Sequence, residues 1–432
     1  MKPTAVFLGA CPEYDAERIA SIVQQAAQCI GLKKPLRGNV VVKPNLVMAH
    51  PKVADEAYTR SEAVEGVLKA LFRMGRGIRR IDIVEKSGLG VSTASMFRWA
   101  GYRRLIRPYG VRLRAMEEIP HRTIVLEKGR LHRHITVARE MAERDFLVFV
   151  PKLKTNVLSQ GYSGALKLNI GIVDSKERLF HHHRDLPIKI VDILEAANPD
   201  LIVTDGIRLA YGGNQMTQGG IDFGVVAVST NAVAHDMVCS TLIGLDPFRI
   251  EHIREAMDRG YGPTSFREIE ILGDFPLRKG RAIAKGLDLG LLPVQNFPCP
   301  FRIRSGSPLC LGGCQGIFLD WLHMVRDRKP KLLKRFPKIS VLIGKVDQIV
   351  RDGTVLLVGD CAQASDRVIA KRIIRIGGCP PTHKRIVLVM MARFFLLAPL
   401  VRPSLIVDGF ILYPLKKLKG GLFNCMRKSV RR

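Results

Sequence analysis

Residues 146–185 read FLVFVPKLKTNVLSQGYSGALKLNIGIVDSKERLFHHHRD. Five apolar residues without alternation, Phe146 to Val150, describe a strand buried on both faces. That strand empties into Lys152, Lys154 and Thr155. Ser163, Gly164, Lys167, Asn169 and Gly171 follow, and then His181, His182, His183 and Arg184. The same arrangement occurs earlier, where Val40-Val41-Val42 runs into Lys43-Pro44-Asn45. If the two strands are parallel and adjacent they share a carboxyl edge, and open α/β sheets bind ligands in the crevice beyond that edge. Lysines, small residues and backbone amides gathered there suit a carboxylate or phosphate. The plainer alternative is solvated surface lysines with glycines in turns. For the three histidines an incidental role outweighs a metal site, because neighbours on an extended chain point to opposite faces.

Outward from this stretch the chain alternates β-branched runs with helical periodicity. Ile81 to Glu85, Leu201 to Thr204 and Val225 to Ser229 read as further strands. Helices are expected over Asp15 to Ile30, over Ile188 to Ala197, over Asn231 to Leu242, and after the capping-box spacing Thr59-Arg60-Ser61-Glu62. The fold class that follows is α/β: an N-terminal, mostly parallel α/β domain over residues 1–275, a proline-rich linker over 276–309, and a smaller α/β unit over 310–432. No internal repeat is evident.

Composition narrows the class further. With 47% apolar residues the 432-residue chain can bury more than one core, and it is neither a disulfide miniprotein nor a disordered polycation. Of its 68 Lys+Arg and 39 Asp+Glu, 30 and 8 fall after residue 275, which places +22 of the +29 net charge there. A basic C-terminal part suits an anionic partner, and the low aromatic content, 6%, argues against a single-stranded nucleic acid. Ile386 to Leu415 is strongly apolar, but Arg393, Arg402, Asp408, Pro399 and Pro403 interrupt it and basic residues bracket it. A spanning helix is therefore not expected; packed helices, a peripheral membrane contact or a partner-subunit surface are. The N-terminal MKPTAVFLGACPEYDAERI lacks a signal-peptide core. The expected location is cytoplasmic, with a peripheral contact at the inner face of the membrane.

In a reducing compartment the nine cysteines are thiols or ligands. Four have glycine-flanked, loop-like contexts: Cys310 and Cys314 in Cys310-Leu311-Gly312-Gly313-Cys314, Cys361 in Gly359-Asp360-Cys361-Ala362, and Cys379 in Gly377-Gly378-Cys379-Pro380-Pro381. Four thiolates suit a [4Fe-4S] cluster or, alternatively, zinc. Cys299, between two prolines, is the expected substitute ligand.

Several ordered segments resemble a known family. Lys43-Pro44-Asn45, Pro151-Lys152-Leu153-Lys154-Thr155, Ser163 to Asn169, Asp205-Gly206, and Ser229-Thr230-Asn231 with Asp236 resemble the landmarks of the family catalogued as domain of unknown function 362, whose members are described as uncharacterised iron–sulfur centre proteins. Two features depart from it: Asn156 stands where a histidine is common, and the tandem ferredoxin cysteine run is missing. The C-terminal cysteine motifs resemble those of the flavodoxin-like, cluster-binding subunits of nickel–iron hydrogenases and respiratory complex I. That resemblance implies a flavodoxin-like unit with Cys310, Cys314, Cys361 and Cys379 on one [4Fe-4S] cluster.

The functional expectation is an iron–sulfur oxidoreductase acting on an anionic organic substrate, supplied by an external electron donor. Lys43, Lys152, Lys154 and Lys167 would neutralise the substrate, Asn45, Thr155, Ser163 and Asn169 orient it, and His181 move protons. No dinucleotide fingerprint is present. The alternative is a non-catalytic electron-transfer or assembly protein that docks on a membrane or partner complex.

Overall fold

The computed structural model describes residues 3–429 except 89, 160, 182, 183, 365 and 366; the side chains of residue 176 and of 423–429 are also outside the description. Strands β1 (Thr4–Ala10), β2 (Gly38–Pro44), β3 (Ile78–Glu85), β4 (Arg112–Ala115), β7 (Phe146–Val150), β8 (Lys152–Lys154), β9 (Leu201–Tyr211), β10 (Gly219–Ser229) and β11 (Ile269–Leu272) form one sheet, in the order β11-β1-β10-β9-β7-β2-β3-β4 with β8 beside β9. The short β5 (His121–Val125) and β6 (His134–Ala138) make a separate antiparallel pair. The large sheet is mostly parallel, as its Val- and Ile-rich runs predict. The exception is β10, antiparallel to both β1 and β9. Its reason is local: β9 turns at Gly212-Gly213 into a loop too short for a crossover helix, so the chain returns as a hairpin.

Helices cover both faces. Ala16–Cys29 and Ser61–Met74 pack on one, Leu186–Ala196 and Ala232–Leu242 on the other, and each face has its own large apolar core. Asp15 caps the first helix by accepting from the Glu17 and Arg18 amides. The capping box expected at Thr59 is not formed: Arg60 is the N-cap, while Thr59 is buried and its hydroxyl donates to the Val150 carbonyl at 2.7 Å, tying the helix start to the end of β7.

The expected linker is structured. Within residues 276–309, helix Leu277–Ala284 packs on helix Ala232–Leu242, and β12 (Arg302–Ser305) opens the second sheet. That sheet adds β13 (Ser340–Val346), β14 (Val350–Ala364) and β15 (Val368–Ile376), all parallel, in chain order. This is not the winding the flavodoxin-like expectation requires. A doubly wound sheet reverses its strand order and crosses over through helices, but only β12 and β13 are joined by helix. β13, β14 and β15 follow one another at three-residue separations in the chain, the long strands curling back so that Ser340 pairs with Val355 and Val355 with Ile373. One face of these coils packs on the second core through Val341, Leu356 and Ile374; the other closes a small core of its own around Leu342, Val355 and Leu357.

Helix Cys314–Arg328 joins the two units. Every side chain from Cys314 to Val325 is buried, and its acids receive the loop after β9: the Gln215 amide donates to Asp320 at 2.6 Å and the Asn214 side chain to Asp327 at 3.0 Å. The segment after helix His383–Phe394 then returns to the first unit. Asp408 accepts from the Ser92 amide at 2.8 Å, Lys416 pairs with Glu118 at 2.8 Å, and Ser404 meets His50 at 3.0 Å.

Candidate functional site

β2 and β7 are adjacent and parallel, with Pro44 opposite Val150. Lys43 and the residues after Val150 therefore leave the sheet at one edge, and beyond it lies a cavity of about 470 Å³. Of the predicted residues, Lys43, Asn45, Lys154, Ser163 and Lys167 line it. Lys43 is buried and already paired with Glu85 at 2.8 Å. Gly171 permits that pair, because a Cβ there would stand 2.4 Å from Glu85 Oε1 and 2.8 Å from Lys43 Nζ. Asn45 braces the floor, its amide group donating to Ala57 O at 3.0 Å.

Among the described residues neither Lys154 nor Lys167 forms a salt bridge, and the carboxylate that acts on both, Asp320, is already held by His383. Lys154 Nζ donates only to backbone carbonyls, Gln215 at 2.8 Å and Ala57 at 3.4 Å, and Lys167 makes no hydrogen bond among the described residues. Burial, with the neighbouring Lys167 charge, pulls Lys154 down to about 7; burial, with Arg178, pulls Lys167 down to about 8. Both titrate within reach of neutral pH.

Four predicted residues do not join them. Lys152 is fully buried in a different polar group, 3.0 Å from Asp205 and 2.8 Å from the Tyr14 hydroxyl. Thr155 accepts from the Gly213 amide and the Gln218 side chain, shaping the loop after β9. Asn169 donates to Ile190 O at 2.8 Å inside the core. His181 meets Asp185 at 2.6 Å outside the cavity. His182 and His183 lie outside the described residues. The cavity instead brings in Lys86, Arg178, Lys384 and His383, the last held by Asp320. Their signal was faint in the sequence: Arg178 donates to the Lys86 and Ser87 carbonyls, a pairing of distant loops that no spacing announces.

The second unit supplies the remaining wall, through Ile317, Pro380, Pro381 and the apolar side chains of residues 387–410. Pro380 directly follows Cys379, which puts the cysteine region behind that wall. Ser305, Ile343, Val358 and Ile376 are register partners across β12 to β15. Each is followed by glycine: Gly306, Gly344, Gly359, Gly377. The loops carrying Cys310 and Cys379 thus leave one carboxyl edge; Cys361, expected on a loop, lies within β14 two residues past Gly359, because that strand bends at the glycine and pairs on, and Cys314 begins the helix beside them. Two corners brace each other, with Asp360 accepting from the Gly378 amide at 2.7 Å; Arg375 clasps the Gly359 and Asp360 carbonyls. Burial and the neighbouring thiols push Cys310 and Cys379 up and Cys314 to about 12, while Arg184 of the first unit pulls the first two down. Three thiols raised by burial and by their neighbours hold negative charge together only around a cation.

Four cysteines are the donor type an iron–sulfur group takes, and one glycine bears on the space at one of them. Gly359 has φ +95, and a Cβ there would meet Cys314 Sγ at 2.4 Å, so the glycine leaves that sulfur its room. Replacing Gly359 with alanine is expected to cost about 1–2 kcal/mol for the left-handed backbone alone and to displace Cys314, read as a lower unfolding midpoint together with reduced bound iron. Cys299, the expected substitute, packs against the second core with no thiol among the groups acting on it. Among the described residues no set of three or more His, Cys, Asp and Glu is gathered to hold a metal ion.

Residues 40–241 match the family model described as Domain of unknown function (DUF362). The matched region holds Lys43, Lys154, Lys167 and Arg178; Cys310, Cys314, Cys361 and Cys379 fall beyond it. Over 176 residues the chain is 26% identical to a thylakoid-associated protein of Synechocystis sp., a stretch covering 39% of this chain and 52% of that relative, so about half the relative's length is matched. Among solved structures it is similar to the lactate racemase apoprotein of Thermoanaerobacterium thermosaccharolyticum, at 13% identity and a TM-score of 0.37, over 55% of this chain and 56% of that one.

Proposed function

We propose that this chain is an iron–sulfur oxidoreductase that holds an anionic organic molecule between its two α/β units. The observation that carries the reading is the pair Lys154 and Lys167: two lysines without a salt bridge among the described residues, on the floor of a cavity whose far wall begins at Pro380, beside Cys379. In this reading the lysines bind the anion, Asn45 and Ser163 orient it, and Glu85 pairs with Lys43 beneath it. Lys154, titrating near 7, gives or takes a proton at Nζ, and His383, oriented by Asp320, replaces His181 as the second proton carrier. Cys310, Cys314, Cys361 and Cys379 would hold a [4Fe-4S] cluster, which supplies one-electron exchange when bound.

An external donor has a separate approach. Cys310 lines a second cavity of about 200 Å³, away from the lysines, whose rim exposes Leu309 and Leu311. Electrons entering there would leave on the Cys379 side.

The decisive experiment is iron quantitation and electron paramagnetic resonance of protein purified without oxygen, before and after dithionite. A reducible cluster signal is expected, and protein that takes up no iron would end the reading. The anion site has its own test. Lys154 and Lys167 lose their protons as pH rises through about 7 and then about 8, so the anion loses its partners in that window. The affinity for 8-anilinonaphthalene-1-sulfonate, which stays anionic throughout, is expected to fall roughly tenfold or more between about pH 6 and about pH 9. A flat profile would remove the lysines from the site.

A further inference from the structure

The chain from Pro403 onward forms a short helix, a wider turn at Asp408–Leu412 and the helix Tyr413–Ser429. Along it Val407, Ile411, Leu415, Leu418 and Leu422 recur at spacings of four and three, one helical stripe, and each is between 45% and 65% exposed. Phe395, 86% exposed, lies just before. A stripe of this length left in water is an interaction surface. Charge identifies its occupant: residues 383–422 carry seven Lys and Arg and a single acid, Asp408, which is buried on the Ser92 amide. No helix among the described residues is long and apolar enough to cross a membrane. A basic amphipathic segment that does not span lies in the interface of an anionic bilayer.

The stripe is continuous with the cavity. Ile406 and Phe410, 44% and 52% exposed, are cavity-lining residues of the same segment, and Leu179 and Leu388 stand across the opening at 39% each. Lys384 sits over the Phe410 ring at 3.6 Å. The cavity mouth is thus apolar and lies in the surface that carries the stripe, with the cations at its floor.

We propose that residues 403–422 lie in the surface of an anionic bilayer and that the cavity draws from it an amphiphile with one anionic head and an apolar chain, head on Lys154 and Lys167, chain along Ile406 and Phe410. This rests on the reading of those lysines as the anion site, and not on the iron. Full-length protein should float with phosphatidylglycerol-containing vesicles and not with pure phosphatidylcholine, release in high salt, and stay behind when Ile411→Asp and Leu415→Asp, which line neither of the two cavities described above, are combined. cis-Parinarate should bind saturably. Its affinity should drop tenfold or more in Lys154→Met/Lys167→Met and persist in the stripe variant. Equal flotation with neutral vesicles, or none, overturns the membrane surface, as does a dimer by light scattering that the stripe variant abolishes. Binding of 8-anilinonaphthalene-1-sulfonate without parinarate binding overturns the amphiphile and leaves the anion site standing. Both wild-type measurements decide the matter even where a variant fails to fold, and iron content reports separately on the redox reading.

Discussion

Serine in place of Cys310, Cys314, Cys361 or Cys379, singly, is expected to strip most of the bound iron from anaerobically purified protein and with it the visible charge-transfer absorbance. Cys11→Ser, Cys29→Ser and Cys239→Ser should leave both intact. The contrast comes from position. The first four stand after a strand end, just past the Gly359 bend of β14, or at the helix start beside them, and three of them are pushed up by burial and by neighbouring thiols. Cys11 instead points its sulfur at the Glu13 carbonyl, Cys29 is exposed at the end of a helix, and Cys239 is buried beside His235. A serine hydroxyl is a poor substitute for a thiolate ligand, and the loss of one corner leaves three thiols whose mutual repulsion no longer has its full counter-charge. Full iron in two or more of the four variants would refute the assignment.

The largest loss of stability is expected from Asp205→Ala, at about 3–5 kcal/mol. Asp205 accepts from Lys152 at 3.0 Å, from the Tyr14 hydroxyl at 3.0 Å and from the Arg60 amide at 3.0 Å, and neither Lys152 nor Asp205 is reached by solvent. Alanine leaves a buried ammonium with one phenol for company and orphans the amide at a helix N-cap. Lys34→Ala provides the contrast: its pair with Asp200 is half exposed, and its loss should fall within about 1 kcal/mol. Urea unfolding followed by circular dichroism, with m unchanged, measures both. Equal effects would mean that burial is not what makes the first pair costly to break.

The Asp205 group also shows what residue order conveys and what it leaves out. Lys43, Lys152 and Lys154 were legible as strand-end residues because uninterrupted Val, Phe and Leu runs mark buried parallel strands and the first charge after such a run marks its end. Which lysine would be free was not legible. Lys43 and Lys152 meet carboxylates 42 and 53 residues away, on strands β3 and β9, and only the sheet order decides those meetings. The hairpin of β9 and β10 escaped for a related reason: a fully apolar run looks the same whether its neighbour is parallel or antiparallel, and Gly212-Gly213 was the one local sign of a return. In the second unit the apolar–Gly steps at Ile343, Val358 and Ile376 were present in the sequence, but spacings of 15 and 18 residues hide a stacked turn unless pairing is known. His181 stood out only because it has histidine neighbours; His383, a lone residue, is the one the fold delivers to the cavity.

The cavity has a schedule as well as a shape. Its floor belongs to residues 43–178, whereas part of its wall belongs to a segment held by contacts that span about three hundred residues: Ser92 to Asp408, Glu118 to Lys416 and His50 to Ser404, separations of 316, 298 and 354. A ribosome adding about 5–20 residues per second needs roughly 15–60 s to travel from the first partner of such a contact to the second. During that interval the lysine floor faces open water with no lid over it. The order of synthesis therefore makes the residues of the cavity floor well before the segment that will wall them in.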